Sequence, residues 1–188
     1  LMFINSLEEV NKGGSEMEEI YKGFTIVLEL DDWCESPREW DNLGTILSMD
    51  GSNEVDKYIR DDVREAVNNG IEIEKALEEH FGEIAVVLPV YKYSHSVTAY
   101  STRSFVGRAH HAEWDSGVCG FIFITKEKAR YEYSKKRISK KLKARLEKYL
   151  SNEIEEMSKW SQGDVWSFRI EELDDSCGGF IGQEWAIE

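Results

Sequence analysis

Ile138-Ser-Lys-Lys-Leu-Lys-Ala-Arg-Leu-Glu-Lys-Tyr-Leu-Ser-Asn-Glu-Ile-Glu-Glu-Met-Ser-Lys-Trp160 is the longest periodic stretch in the chain. Ile138, Leu142, Leu146, Leu150, Ile154 and Met157 recur at intervals of three and four, which predicts one long amphipathic helix at about 138–160 with a narrow apolar stripe. Such a stripe needs a surface to cover, and the apolar runs on either side of it supply one. Gly23–Leu30, Leu43–Met49, Ile84–Tyr93, Val97–Ser101, Val118–Thr125, Val165–Leu173 and Phe180–Ile187 are rich in β-branched and aromatic residues and bounded by turn formers, so each reads as a strand. Pro89 inside the third run calls for an edge position or a bulge.

Two shorter helices are expected, one over about 53–68 with Ser52 as N-cap and one over Ile71–His80 closed by Gly82. Lys126–Tyr133 reads as a helical turn or more, and 102–116 as irregular chain with Gly107 and Gly117 at its bends. Strands and helices do not alternate. The expected fold class is therefore α+β, a mostly antiparallel or mixed sheet with helices packed on one face.

At 188 residues the chain fits a single α+β domain, expected over 17–188. Leu1-Met-Phe-Ile-Asn-Ser6 lacks the basic start and long apolar run of a signal peptide and is followed by Lys12-Gly-Gly-Ser15. Residues 1–16 accordingly read as a loose leader or an appended segment, with Met17 as the start. No apolar run approaches the ~20 residues of a membrane span. Cys34, Cys119 and Cys177 are odd in number and widely spaced, which argues against a disulfide framework and fits a reducing cytoplasm. They form no pattern with zinc spacing.

The net charge of −14 is unevenly spread. Residues 1–100 hold 8 Lys/Arg against 22 Asp/Glu, residues 101–150 hold 13 against 5, and residues 151–188 hold 2 against 10. A local basic block thus interrupts an acidic protein, and such single-sign fields steer oppositely charged partners. On the long helix Lys140, Lys141, Lys143, Arg145 and Lys148 avoid the apolar stripe, and Lys135, Lys136 and Arg137 precede it. Two readings are open, a solvated helix face or a docking face for nucleic acid or for an acidic protein patch. Cations near the helix start, with Glu153, Glu155 and Glu156 towards its end, oppose the helix dipole, so stability alone does not favour this order.

Other constellations carry a bland reading beside the chemical one. Asp31-Asp32 and Asp174-Asp175, with Asp115, offer oxygen ligands for Mg²⁺ or Ca²⁺, yet acids at strand ends also form turns and caps. Cys34 with His95, His110 or His111 has the residue types of a nucleophile and base, but no nucleophile elbow surrounds it, and a small buried thiol is the default. Gly117-Val-Cys-Gly120 and Gly178-Gly179 lack phosphate-loop spacing and read as tight bends or close backbone approaches. The six tryptophans sit beside turns, where they serve as core edges or as interface anchors. Leu-Asp-Asp-x-Cys occurs twice, at 30–34 and 173–177, and two such strand ends side by side in the sheet would account for the echo.

Several of these stretches also resemble a family of small proteins encoded by bacteriophages and integrated elements, for which no enzymatic role is assigned. The resemblance lies in Asp32-Trp-Cys-Glu-Ser-Pro-Arg-Glu-Trp-Asp-Asn-Leu-Gly-Thr45, Leu88-Pro-Val-Tyr91, Trp114-Asp-Ser-Gly-Val-Cys-Gly-Phe-Ile122, Lys135-Lys-Arg-Ile-Ser-Lys-Lys141, Gly163-Asp-Val-Trp-Ser-Phe168 and Asp175-Ser-Cys-Gly-Gly-Phe180. It covers most of the chain from about residue 20. The family's basic stretch after the Leu-Gly-Thr strand is replaced here by Ser48-Met-Asp-Gly-Ser-Asn53.

The resemblance implies an accessory protein of a mobile element, acting in the host bacterial cytoplasm without cofactor, metal or catalytic residue. Its implied function is anti-CRISPR or anti-restriction inhibition, with a Cas9-type nuclease as first partner, with or without its guide RNA or DNA, and a restriction enzyme second. An acidic surface including Asp31, Asp32, Glu35, Glu39, Trp40, Asp174 and Asp175 would compete for the enzyme's cationic channel. The basic residues from Lys135 to Lys148 would make the remaining contacts. Free nucleic acid is expected to bind weakly, or through the basic helix only. The alternatives are a metal-dependent phosphodiesterase or nuclease using the Asp clusters, and a nucleic-acid-binding module acting through the basic helix.

Overall fold

A computed structural model describes residues 16–49 and 54–187. These gather into two compact units, one built from residues 16–36 with 159–187 and the other from 37–158. The class is α+β, and the strand pairs among the described residues are antiparallel and divided between two four-stranded sheets. The expected leader at 1–16 lies outside the described residues except for Glu16, as do Ser52 and the Asp50-Gly51 turn.

In the first unit the sheet order is β1 (Glu16–Tyr21), β2 (Phe24–Leu30), β7 (Val165–Ile170), β8 (Asp175–Ile181). β1 and β2 form a hairpin whose two-residue Lys22-Gly23 turn has positive φ at both positions, the geometry that matches strand twist. β1 is absent from the sequence expectation because Glu16-Met-Glu-Glu-Ile-Tyr21 has no apolar alternation and is mostly exposed at a sheet edge. The strand expected over Phe180–Ile187 is instead the end of β8 followed by a short helix, α6 (Gln183–Ile187). Gly182, at φ 91°, turns the chain between them, and Glu184 of α6 pairs with Lys159.

The second unit has the order β3 (Thr45–Ser48), β6 (Ser116–Thr125), β4 (Ile84–Ser94), β5 (Thr98–Ser101). Its helices are α1 (Lys57–Asn68), α2 (Ile73–Phe81), α3 (Ala112–Asp115), α4 (Lys126–Glu132) and the greater part of α5 (Lys140–Ser161). α1 starts at Lys57 and not at about 53, and Asp56 caps it, accepting from Tyr58 N. Helices cover both faces of this sheet, where one face was expected. Ile46, Ile122, Ile124, Leu146, Leu150 and Ile154 make one core, and Leu47, Phe123, Val63 and Leu77 the other. Consecutive apolar residues in β4 and β6 are the signature of strands buried on both sides.

Pro89 lies opposite Phe121 on the β6 side of β4, ahead of the Tyr91–Ser94 segment where β5 pairs on the other side. Its missing N–H therefore removes no bond to β5. Gly120 is a close approach, since a Cβ there would stand 2.4 Å from the Leu47 carbonyl oxygen. Gly117, expected at a bend, is instead an ordinary residue of β6.

Candidate functional site

The basic face is built on α5. Ser139 Oγ accepts from Leu142 N at 3.2 Å and the Ser139 carbonyl from Lys143 N at 2.8 Å, satisfying two of the helix's first backbone donors. Leu146, Leu150 and Ile154 are fully buried and hold the helix to the sheet. Rotation about the helix axis is then settled, and Lys140, Lys141, Lys143, Arg145 and Lys148 are all exposed, as are Lys135, Lys136 and Arg137 in the segment before it.

None of these eight cations forms an ion pair among the described residues. Arg145 lies over the Tyr133 ring at 5.1 Å, a contact that orients the guanidinium and leaves its charge uncompensated. The cations of α4 differ in this respect. Lys126 and Arg130 share Glu83, and Lys128 donates to the Asn42 carbonyl.

The acids of α5 also divide. Glu155 and Glu156 are exposed, but Glu153 is buried. Its Oε1 accepts from Leu43 N at 2.7 Å, and its Oε2 accepts from Gly44 N at 3.1 Å and from Arg38 Nη1 at 3.0 Å. Arg38 also donates to both carboxylate oxygens of Glu54, to Asn42 Oδ1 and to the Gly44 carbonyl. Burial by itself would lower the Arg38 pKa, but hydrogen bonds and charge pairing with Glu54 and then Glu153 outweigh it and raise the value. Glu153 is therefore a structural anchor, and its position late in the helix reflects that partner and not the dipole.

Within the first unit the expected acidic residues are spread along the sheet. Asp31 N donates to the Val165 carbonyl, whereas Asp175 faces Ile170 at the other end of β7, about 16 Å away along the strand at ~3.3 Å per residue. The two Leu-Asp-Asp-x-Cys segments thus fall at opposite ends of their sheet and do not lie side by side, because β2 and β7 run antiparallel.

Asp31 is moreover committed locally, accepting from Trp33 N at 3.0 Å and from Gly179 N at 2.9 Å. Gly178 and Gly179 lie where the β7–β8 register shifts, with Gly179 at φ 81° and Gly178 too close to Asp31 Oδ2 for any Cβ. Asp32, Glu35, Asp174 and Asp175 are exposed in the same unit, while Glu39, Trp40 and Asp115 belong to the other. Among the described residues no three His, Cys, Asp or Glu side chains are placed to hold a metal ion.

Cys34 belongs to the first unit, and its thiol pKa is raised by burial and then by the charges of Asp31 and Glu35, which favours the protonated, unreactive form. His95, His110 and His111 belong to the second. They form a cluster of their own: His95 Nδ1 lies 2.8 Å from Asp115 Oδ2, and the His110 and His111 ring centroids are 6.4 and 6.3 Å from that of His95. The only hint of this cluster in the sequence is that three of the four histidines fall within 95–111. Of the six tryptophans, Trp33 and Trp114 are 92% and 87% exposed and so act as neither core nor core edge.

Comparison of the chain with family models, with curated proteins and with solved structures gave no match.

Proposed function

We propose that this chain is a binding protein of the anti-defence class, without catalytic residues of its own, that inhibits a bacterial nuclease by docking on it. A Cas9-type enzyme is the first candidate and a restriction enzyme the second. The observation that carries the reading is the run of eight exposed cations from Lys135 to Lys148 that form no ion pair among the described residues, in a protein with 37 acidic residues. A surface ion pair contributes only ~0–1 kcal/mol, so folding does not require these charges to be paired. What they retain is their field, which speeds and orients encounter with an anionic surface.

The acidic remainder of the molecule disfavours free duplex and suits a target with a cationic nucleic-acid channel. The resemblance to phage and mobile-element proteins supplies a setting in which such a target is met. Asp31 and Asp175 of the metal-nuclease alternative stand at opposite ends of β7 within the first unit, so that alternative is not carried forward.

The test is retention of a guide-loaded Cas9-type nuclease, and separately of a restriction enzyme, on the immobilised protein at low and at moderate salt. Salt-sensitive retention that disappears in Lys140→Glu/Lys141→Glu/Arg145→Glu supports the proposal. Failure to retain either enzyme at low salt removes it. Tight binding of bare duplex or single-stranded RNA, lost in the same variant, would assign the helix to a nucleic-acid-binding module instead.

A further inference from the structure

The flank of α5 that carries Lys148 also forms one wall of an open groove of about 730 Å³ in the second unit, whose other wall is the end of β5 and the chain that follows it. The volume falls within the ~300–1,000 Å³ typical of small-molecule sites. Thr102 Oγ1 and Ser151 Oγ, one from each wall, lie 3.0 Å apart.

Arg108 is the most informative lining residue. Its Nε donates to the Ser104 carbonyl at 2.8 Å and its Nη2 to the Arg103 carbonyl at 2.7 Å, and the guanidinium stands over the Phe105 ring at 5.3 Å. All of these contacts are with uncharged groups. The side chain is held in place while its full charge, and the Nη1 edge, stay free of any carboxylate among the described residues. A pre-positioned arginine without a counter-ion is an anion receptor whose ordering cost has already been met by the fold. Arg103 on the same wall and Lys148 across from it also carry no ion pair among the described residues.

Glu147 and Glu155 line the groove as well. Their carboxylates would repel a continuous run of phosphates, so a nucleic-acid strand fits poorly. They are acceptors for hydroxyl or amino donors, and the cations are receptors for one compact anion. We infer that the groove binds a phosphate monoester of a hydroxyl-bearing molecule, of the mononucleotide or sugar-phosphate class. The phosphate would lie against Arg108, Arg103 and Lys148, and the hydroxyls towards Glu147 and Glu155.

This inference shares only Lys148 with the docking proposal and is tested on the full chain without any partner. Calorimetric titrations at low salt would use adenosine 5′-monophosphate, ribose 5-phosphate, inorganic phosphate and a single-stranded oligonucleotide. Saturable binding of either monoester, with inorganic phosphate at least about tenfold weaker, is expected, tenfold corresponding to one lost charged hydrogen bond. A nucleotide preferred over ribose 5-phosphate names the nucleotide class, and equal affinity names the sugar phosphate.

Arg108→Gln should weaken the monoester by about tenfold or more. The exposed pair Arg103→Gln/Lys148→Gln should do so too with the melting temperature unchanged, which keeps the test open if Arg108→Gln fails to fold. The inference is overturned if neither monoester binds, if inorganic phosphate binds as tightly, if the oligonucleotide binds more tightly than the monoesters, or if the double variant keeps full affinity.

Discussion

Arg38 and Glu153, 115 positions apart in sequence, meet through a 3.0 Å charged hydrogen bond that is 11% exposed on the arginine side and 5% on the glutamate side. Through this pair the turn-rich segment before β3 is tied to the C-terminal half of α5. The carboxylate also satisfies the backbone N–H groups of Leu43 and Gly44, so the bond is one part of a shared network. Removing one partner of such a buried pair strands the other charge and is far more damaging than the pair is stabilising. Glu153→Ala should therefore lower the unfolding free energy by roughly 3–5 kcal/mol in urea titrations. A loss below about 1 kcal/mol, the range of a surface pair, would show that water reaches the site.

The basic helix should behave in the opposite way. Lys140→Glu/Lys141→Glu/Arg145→Glu places two acids, at 140 and 141, in the first turn of α5, where the dipole favours them by about 0.3–1 kcal/mol each. The variant should melt at the same or a slightly higher temperature, while its elution from a heparin column moves to lower salt. A fall in melting temperature of several degrees would mean that these side chains serve the fold.

Gly120→Ala tests the close approach of β6 to β3. The added methyl would sit 2.4 Å from the Leu47 carbonyl oxygen and 3.0 Å from the Ser48 Cα, both backbone atoms that no rotamer change can move. Overpacking of this kind costs about 1–3 kcal/mol, with the upper end expected here because a strand must shift. Thermal unfolding should register the loss, and the same substitution at Gly117, which has open space around it, should cost far less.

An acid-side dependence is expected from Glu172. Its pKa is lowered by the hydrogen bond from the Thr25 hydroxyl and then by that from the Thr25 N–H, both at 2.7 Å. A carboxyl depressed in the folded state contributes stability that is present above its unfolded value and lost as pH falls through the folded one. The difference in melting temperature between the wild type and Glu172→Gln should thus be visible at neutral pH and shrink below about pH 4, the ordinary carboxylate range. A difference that grows on acidification would contradict the assigned sign.

Much of this could be read from residue order, and the reasons for the rest are physical. The spacing of Leu146, Leu150 and Ile154 announces both the helix and its buried side, and the exposure of Lys140 to Lys148 follows directly. Glu153 is different. A buried acid and an exposed one look alike in a helix until the partner is known, and Arg38 has no local signature. The pairing of Leu28 with Phe168 is equally silent, so nothing near either strand told that the strands are shared between two sheets. β1 lacks an apolar face to announce it, and the His95, His110 and His111 cluster is made by a hairpin tip and a loop brought together in space.

The first unit is composed of two segments, 16–36 and 159–187, that flank the whole of the second. The pairing of β2 with β7 therefore waits until residue 170 has been synthesised, while residues 37–158 have every strand of their own sheet well before then. Closing so long a loop is slow in comparison with local pairing. During synthesis the β1–β2 hairpin must wait for its sheet partners while the second unit can already have folded. A stop codon between residues 158 and 165 would strand that hairpin, with its open β2 edge, on an otherwise complete second unit that retains the entire run from Lys135 to Lys148.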